Sequence, residues 1–382
     1  MDQGTFRYDN PSIIHWGAGC VAQRLEGDLQ RLGSRRVFVV TTRSVAANPA
    51  LIEPIERLLG ERLVGRYGAI GQHAPVRGVA EAAAHAGEAR PDLLLSVGGG
   101  SPIDAAKAVA FSLASGLDLN DPNAPEKASA ISLAWKSVLP HIAIPTTLST
   151  AEMSWRAGFS SEVGRVKTGV GAPELLPATI FFDAELAAHT PLPLWLSTGI
   201  RAVDHAVEAI LSDGNHPFQD AMSLEALRRL PAALLAAQAD PQDREARTAG
   251  QLGAWFSMTL PFASANGLSH TLGKRLGSRH GIPHGVTSCL MLPPVMRYLA
   301  TTTAPQQARI ARALGIDTPG PSDLQLAALA ADAISNLIAQ LGQPQRISDF
   351  NVPESDQHEA VRPLVTDRYS EQDLIGILRA AW

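Results

Sequence analysis

Asp92-Leu-Leu-Leu-Ser-Val97, followed by Gly98-Gly99-Gly100-Ser101-Pro102-Ile103-Asp104-Ala105-Ala106-Lys107, decides how the chain is read. The apolar run has the length of a strand and is closed by glycines, so it predicts a buried strand. Pro102 stands where proline is favoured in the first turn of a helix, and the alanine-rich continuation carries that helix to about Ser115. Between strand and helix, successive backbone N–H groups and a helix N-terminus face one space, and glycine lets a ligand come close to the main chain. A pyrophosphate suits that geometry. The plain alternative is a glycine-rich turn with no ligand, and the pattern is not the G-x-G-x-x-G fingerprint.

Working outward, residues 11–19 read as a short strand and a glycine turn, with a helix following to about Leu32. Arg36 to Thr42 is a β-branched run expected as a central strand, Asn48-Pro49 opens a helix, and Val79 to Arg90 reads as another. His141 to Thr147 predicts a strand ending in hydroxyls, and Ala178 to Asp183 predicts the last strand. Asn120 to Ala128 is polar and proline-containing, expected as a surface loop. Strands alternating with helices predict a mostly parallel sheet covered on both faces. From about Ala184 the pattern turns helical: Leu194–Leu211, Phe218–Ala237, Arg244–Leu260, Gln306–Ala313 and Leu324–Leu341. The expected organisation is an α/β domain over 1–186 and an all-α domain over 187–382.

Composition bounds the function. A chain of 382 residues fits two domains of roughly 100–200 residues each, and two domains imply a cleft. Apolar residues make up 45% and charged residues 18%, and no apolar run approaches the roughly 20 residues that span a bilayer. The start, Met-Asp-Gln-Gly-Thr-Phe-Arg-Tyr-Asp, lacks the basic and apolar regions of a secretory signal, so a cytoplasmic location is expected. A net charge of −5 without Lys/Arg blocks predicts a small-molecule substrate and neither a nucleic-acid nor a membrane partner. Cys20 and Cys289 have no disulfide or metal-site spacing and are expected as small buried side chains.

The second half carries His205 in Arg201-Ala-Val-Asp-His-Ala-Val-Glu208, and His270 and His284 bracket a segment broken by Gly277, Gly281 and Pro283. Taken in order with Gly98–Lys107, Pro145-Thr-Thr147 and Pro283-His284-Gly285, this set resembles the iron-containing alcohol dehydrogenase superfamily, with its dehydroquinate synthase-like fold. Pro145-Thr-Thr-Leu-Ser-Thr-Ala-Glu-Met153 has the shorter spacing of the maleylacetate reductase branch. Val166-Lys-Thr-Gly169, Leu176-Pro177, Glu245-Ala-Arg247 and Gly253-Ala-Trp255 resemble the same branch. Gly100-Ser-Pro-Ile-Asp104 is closer to the general alcohol dehydrogenases, so the chain reads as a neighbour of the maleylacetate reductases.

The resemblance implies NAD(P)-dependent hydride transfer in an interdomain cleft, in a homodimer. It places the pyrophosphate on Gly98, Gly99, Gly100 and Ser101, gives Asp104 to cofactor binding, and puts Thr146 and Thr147 near the nicotinamide. Where the family often has an Asp that reads the adenosine ribose, this chain has Thr42 followed by Arg43. A neutral Thr beside an Arg no longer repels a 2′-phosphate, so both NAD and NADP are expected to be tolerated.

The resemblance also implies a metal site of one Asp, a His four residues later, and two further His. His205, His270 and His284 fall on the His positions, but the Asp position is Arg201. A guanidinium has no lone pair to give a metal, and its fixed charge would repel a dication. Asp204, adjacent to His205, points roughly 100° away on a helix and is not expected to substitute. The expectation is therefore no metal, with His205, His270 and His284 as the ligands if one binds.

Without a metal, cationic donors must stabilise the developing oxyanion, and Arg201, Lys274 and His205 are the candidates. Lys274 replaces a His usual in the family and is read as a general acid or substrate anchor. Arg201 suits a substrate carboxylate. The expected reaction is reduction of a small keto-acid carbonyl, maleylacetate to 3-oxoadipate or a relative. The alternatives are a metal-dependent alcohol dehydrogenase and a non-catalytic cofactor-binding homologue. His280 is read as a loop residue near the cleft, His141 as structural, and His15 and His216 as lacking chemical context; Trp155 reads as a core aromatic or a substrate contact.

Overall fold

A computed structural model describes residues 11, 13–121, 123–134, 136–160, 167–212, 216–258, 267–316, 318–344 and 346–382. Ser12, Val166, the end of the helix expected to reach Leu260, and the N-terminal nonapeptide lie outside the described residues. Two compact units divide between Thr190 and Pro191, four residues beyond the boundary read from the sequence.

The first unit runs β1 (Ile13–Trp16), α1 (Cys20–Arg31), β2 (Val37–Thr42), α2 (Arg43–Ala46), α3 (Pro49–Leu59), β3 (Leu63–Ile70), α4 (Val76–Ala89), β4 (Leu93–Gly98) and α5 (Gly100–Ser115). It continues through α6 (Ala124–Ser129), β5 (His141–Pro145), β6 (Arg156–Ser160), β7 (Lys167–Gly171), β8 (Thr179–Phe182) and α7 (Ala184–Ala187). Six strands form one parallel sheet in the order β1-β8-β5-β4-β2-β3, and β6 and β7 form an antiparallel pair.

Both faces of the sheet are apolar, as parallel strands buried on both sides require. Phe38, Val40 and Leu94 pack with Val79, Ala106 and Phe111 of α4 and α5. Val37, Val39, Leu93 and Leu95 point the other way, onto Leu25 and Leu29 of α1 and Ile52 and Ile55 of α3. Strand alternation divides one apolar run between two cores.

Three features of this unit depart from the sequence reading. β3 is absent from it because Gly65 and Gly68 interrupt the apolar pattern. A Cβ at Gly65 would stand 2.9 Å from the Phe38 ring, so the neighbouring strand's aromatic needs that space. The hairpin β6–β7 also went unread. Within the 120–128 stretch expected as a loop, α6 forms, with Pro at its first turn.

Among its described residues the second unit is helical: α8 (Leu192–Leu211), α9 (Pro217–Ala239), α10 (Arg244–Ser257), α11 (Leu268–His280), α12 (His284–Ala313), α13 (Asp323–Gln340), α14 (Gln357–Val361) and α15 (Glu371–Ala380). The segment expected to be glycine-broken is mostly helix. α11 runs through Gly273 and Gly277 and stops at Gly281, whose φ of 70° is a left-handed cap. α12 contains Pro293, Pro294 and Pro305, yet leaves helical geometry only at Thr303. Burial of Leu290 through Met296 outweighs the proline penalty, and the kink falls near Pro305 as proline sterics direct. Leu268, Leu272, Met291 and Val295 join Ile347, Leu374 and Ile377 in this unit's core. Among the described residues, no helix is long and apolar enough to cross a membrane.

The crowding at Gly65 gives a test. Gly65→Ala is expected to destabilise the chain by about 1–3 kcal/mol through overpacking on Phe38. Gly27→Ala, inside α1 with nothing within 4 Å, is expected to be neutral or stabilising by up to about 1 kcal/mol. Chemical denaturation midpoints of the two variants decide it.

Candidate active site

In the first unit, the strand order places a switch point between β2 and β4: the chain leaves β2 outward to β3, then returns to the other side. Open α/β sheets bind ligands beyond the carboxyl ends of strands at such a point. Thr42 ends β2, Gly98 ends β4, and Thr146 and Thr147 follow Pro145 at the end of the adjoining β5. Parallel register brings them together: Gly98 lies opposite Pro145, and the Thr146 N–H donates to the Gly98 carbonyl at 2.9 Å.

Gly98 has φ 132°, a conformation other residues rarely adopt, and a Cβ there would meet Pro102 at 2.9 Å. Gly99 caps α5, and Gly100 and Ser101 open it, so unpaired N–H groups of a 16-residue helix stand at the switch point. These residues fit a pyrophosphate. Thr42 caps α2, accepting the Val45 N–H at 3.4 Å. Ser101 Oγ accepts the backbone N–H of His73 at 3.1 Å, and His73 and Ala74 hold φ of 61° and 46°. That strained pair lay outside the sequence reading, since only its contact with Ser101 marks it.

Asp104 is partly exposed on the second turn of α5. Its carboxylate is 2.8 Å from Lys107 Nζ and also accepts the Gly158 N–H at 3.2 Å. Lys107 is fully buried and donates to the carbonyls of Ala151, Ser154 and Arg156. Burying an ammonium is tolerable only when its donors are satisfied, and these four oxygens do so. The pair ties α5, whose N-terminus forms the phosphate cradle, to the segment 151–158. Glu152 lies fully buried beside this pair, and burial pushes its carboxyl up to about 7.

In the second unit, Arg201, Asp204, His205 and Glu208 recur on α8 at helical spacing and are all buried. Arg201 Nη1 donates to Ser288 Oγ on α12 at 3.1 Å, and that hydroxyl donates to Asp204 at 2.7 Å. Arg201 Nη2 lies 2.5 Å from His270 Nε2 on α11. A guanidinium only donates, so Nε2 of His270 is the acceptor and its proton sits on Nδ1. His205 stacks on His270 with ring centroids 5.7 Å apart. Glu208 accepts the N–H groups of Gly267 and His270 at 3.0 and 2.9 Å, fixing the start of α11.

Asp204 therefore serves the Arg201 network; sequence adjacency to His205 concealed this because Ser288 lies 84 residues away. Burial lowers Arg201 from its ordinary value while Asp204 and Glu208 oppose the shift, and it keeps its proton. Burial, then Arg201, holds His205 well below the usual imidazole range, so it is neutral. Burial pushes Asp204 up, and burial with Asp204 nearby pushes Glu208 up to about 8. Lys274, four residues after His270 on α11, is lowered by burial and by Arg201. His284 opens α12, its Nδ1 3.6 Å from where a Cβ on Gly277 would lie.

As arranged, His270 is not turned to a divalent ion. The His270 lone pair that would face a metal accepts from Arg201, and among the described residues no group of three or more His, Cys, Asp or Glu is gathered to hold one.

The remaining candidates make other contacts. His15 pairs with Asp28 at 2.8 Å, and His216 caps α9. His141 bonds Ser96 at 2.7 Å and burial lowers it to about 3. His280 ends α11, 3.6 Å from Asp356. Trp155 packs on Gly171 and takes the Arg156 guanidinium over its ring. Cys20 and Cys289 are buried thiols.

The first unit is a parallel sheet with a glycine turn and a helix N-terminus at its switch point, and the second is a set of helices around a buried cationic cluster. Residues 11–184 match the model of iron-containing alcohol dehydrogenase, and residues 195–377 match that of the Fe-containing alcohol dehydrogenase family, C-terminal. The chain is 30% identical over 345 residues to the maleylacetate reductase of Burkholderia cepacia, covering 90% of this chain and 89% of that one. It is 26% identical to the lactaldehyde reductase of Escherichia coli strain K12, with 96% and 97% covered. The crystal structure of 1,3-propanediol oxidoreductase superposes with a TM-score of 0.91 at 25% identity, covering 99% of this chain and 100% of that one. The chain belongs to the iron-containing alcohol dehydrogenase family and is an oxidoreductase.

Lys107→Met, which keeps the length and removes the charge, is expected to take the ammonium donor from Asp104 and three carbonyls, at a cost of about 3–5 kcal/mol. The midpoint of urea unfolding measures it; a loss below about 1 kcal/mol would show that the clamp does not hold α5 to the segment 151–158.

Proposed function

We propose that the chain transfers a hydride from NAD(P)H to a small keto-acid, maleylacetate giving 3-oxoadipate or a relative, without a metal. The observation that carries this reading is Arg201, a buried cation held by Ser288 and bonded to His270 on the helix face where the family's resemblance calls for a carboxylate ligand. The identity with maleylacetate reductase over most of both chains supports the substrate class.

The family uses NAD(P), and Gly98, Gly99, Gly100 and Ser101 would hold its pyrophosphate, with Thr146 and Thr147 beside them. When bound, the reduced nicotinamide supplies a hydride. Thr42, in place of an acidic residue, leaves room for the 2′-phosphate, so both NADH and NADPH are accepted. Arg201 and Lys274 stabilise the charge that gathers on the substrate's carbonyl oxygen, and neutral His205 and His270 hold the wall on which it forms. For maleylacetate the chemistry corrects the simplest expectation. The hydride adds to the alkene carbon β to the ketone, charge moves to the oxygen as an enolate, and a proton returns to the adjacent carbon, so the ketone survives. For a saturated keto-acid the hydride goes to the carbonyl carbon and the proton to its oxygen. Lys274, with its lowered affinity for a proton, is the donor assigned in either case.

The proposal includes a homodimer working in the cytoplasm on a free small molecule, without nucleic-acid or membrane partners; a charge of −5 free of Lys/Arg blocks supports that reading. A second reading, a metal-dependent alcohol dehydrogenase, is favoured by His205, His270 and His284 and by the likeness to lactaldehyde reductase.

Two experiments separate them. Arg201→Gln is expected to raise KM for maleylacetate about tenfold or more while changing KM for a neutral aldehyde little. An equal rise for both removes the carboxylate role. Prolonged dialysis against a chelator is expected to leave full activity; loss restored by Fe²⁺ or Zn²⁺ would establish the metal-dependent reading instead.

A further inference from the structure

The helical unit contains a pocket of about 480 Å³, within the range of small-molecule sites. Leu211 of α8 and Leu292, Val295 and Met296 of α12 supply apolar walls, and Met gives such a wall adaptability. Its acid and its base lie at opposite ends of the burial scale. Glu208 is 5% exposed, and both of its carboxylate oxygens already accept backbone N–H groups. Arg368 is exposed, with its guanidinium 5.5 Å from the centre of the Tyr369 ring. The turn carrying Arg368 is fixed by reciprocal backbone bonds between Thr366 and Tyr369, at 3.0 and 3.2 Å. Arg368 is thus presented on a closed turn, with less of the ordering cost that a loose loop would add.

We propose that this pocket binds an amphipathic monocarboxylic acid, with its apolar body against Leu292 and Met296 and its carboxylate on Arg368. The walls reward burial of a chain or ring at roughly 25 cal/mol per Å². The exposed guanidinium matches a carboxylate bidentately. The apolar interior sets the selectivity, because a second carboxylate pushed inward would lose its water against Leu292, Val295 and Met296 with no cation to receive it there. A dicarboxylate such as the proposed substrate is therefore refused here, which separates this pocket's ligand from that of the Arg201 cluster. The proposal does not depend on the assigned reaction.

Octanoate is the probe, titrated calorimetrically into the full chain beside octanol and octanedioate. One saturable site for octanoate is expected, with octanedioate and octanol each bound at least about tenfold more weakly. Arg368→Gln, an exposed change, should weaken octanoate about tenfold. Leu299→Trp, from the half-buried rim, should fill the pocket and abolish binding while reductase KM stays unchanged. Circular dichroism confirms that both variants fold, and should Leu299→Trp misfold, Arg368→Gln decides alone. No saturable octanoate binding, or binding unchanged in Arg368→Gln, overturns the proposal. So does octanedioate binding as tightly as octanoate.

Discussion

A guanidinium buried between helices has to be answered by acceptors, and the helical unit is arranged to supply them. Arg201 sits 8% exposed on α8, where its Nη1 reaches Ser288 of α12 and its Nη2 reaches His270 of α11. Asp204 returns charge through the same Ser288 hydroxyl, and Glu208 holds the start of α11 in place by its backbone. Three helices are thus registered against one another by one cation and its acceptors. The same contacts fix the tautomer of His270, and burial with Arg201 nearby keeps His205 neutral. The electrostatics of the site and the packing of the helices have a common origin.

The first unit solves the corresponding problem with an ammonium. Lys107 lies wholly inside, its donors spent on Asp104 and three carbonyls of the segment that follows β5. The clamp sits two turns into α5, so it steadies the helix whose first N–H groups form the phosphate cradle. Asp104 and Lys107 look like ligand-binding residues in the sequence because they follow the glycines at a motif's spacing. In the structure the two pair with each other, and Lys107 faces inward to hold that motif up.

The buried strands were legible from composition alone. Val37 to Thr42 and Leu93 to Gly98 carry apolar residues on both faces, which only a covered parallel strand needs. β3 was not legible, because Gly65 and Gly68 erase the local pattern to make room for Phe38 and Ala46. The continuity of α12 through Pro293 and Pro294 was hidden for the opposite reason: local propensity argues against helix there, and burial of the surrounding Leu and Met side chains overrides it.

The sequence by itself determined the buried strands β2, β4, β5 and β8, the glycine turn after β4, and the presence of Arg201 where the family resemblance calls for an acid. Each is a local property of residue type and spacing. Tertiary structure alone decided that Asp204 meets Arg201 through Ser288 and that His270 spends its lone pair on a guanidinium. Those pairings join residues up to 87 positions apart, and a buried charge takes whichever acceptor the packing brings within reach.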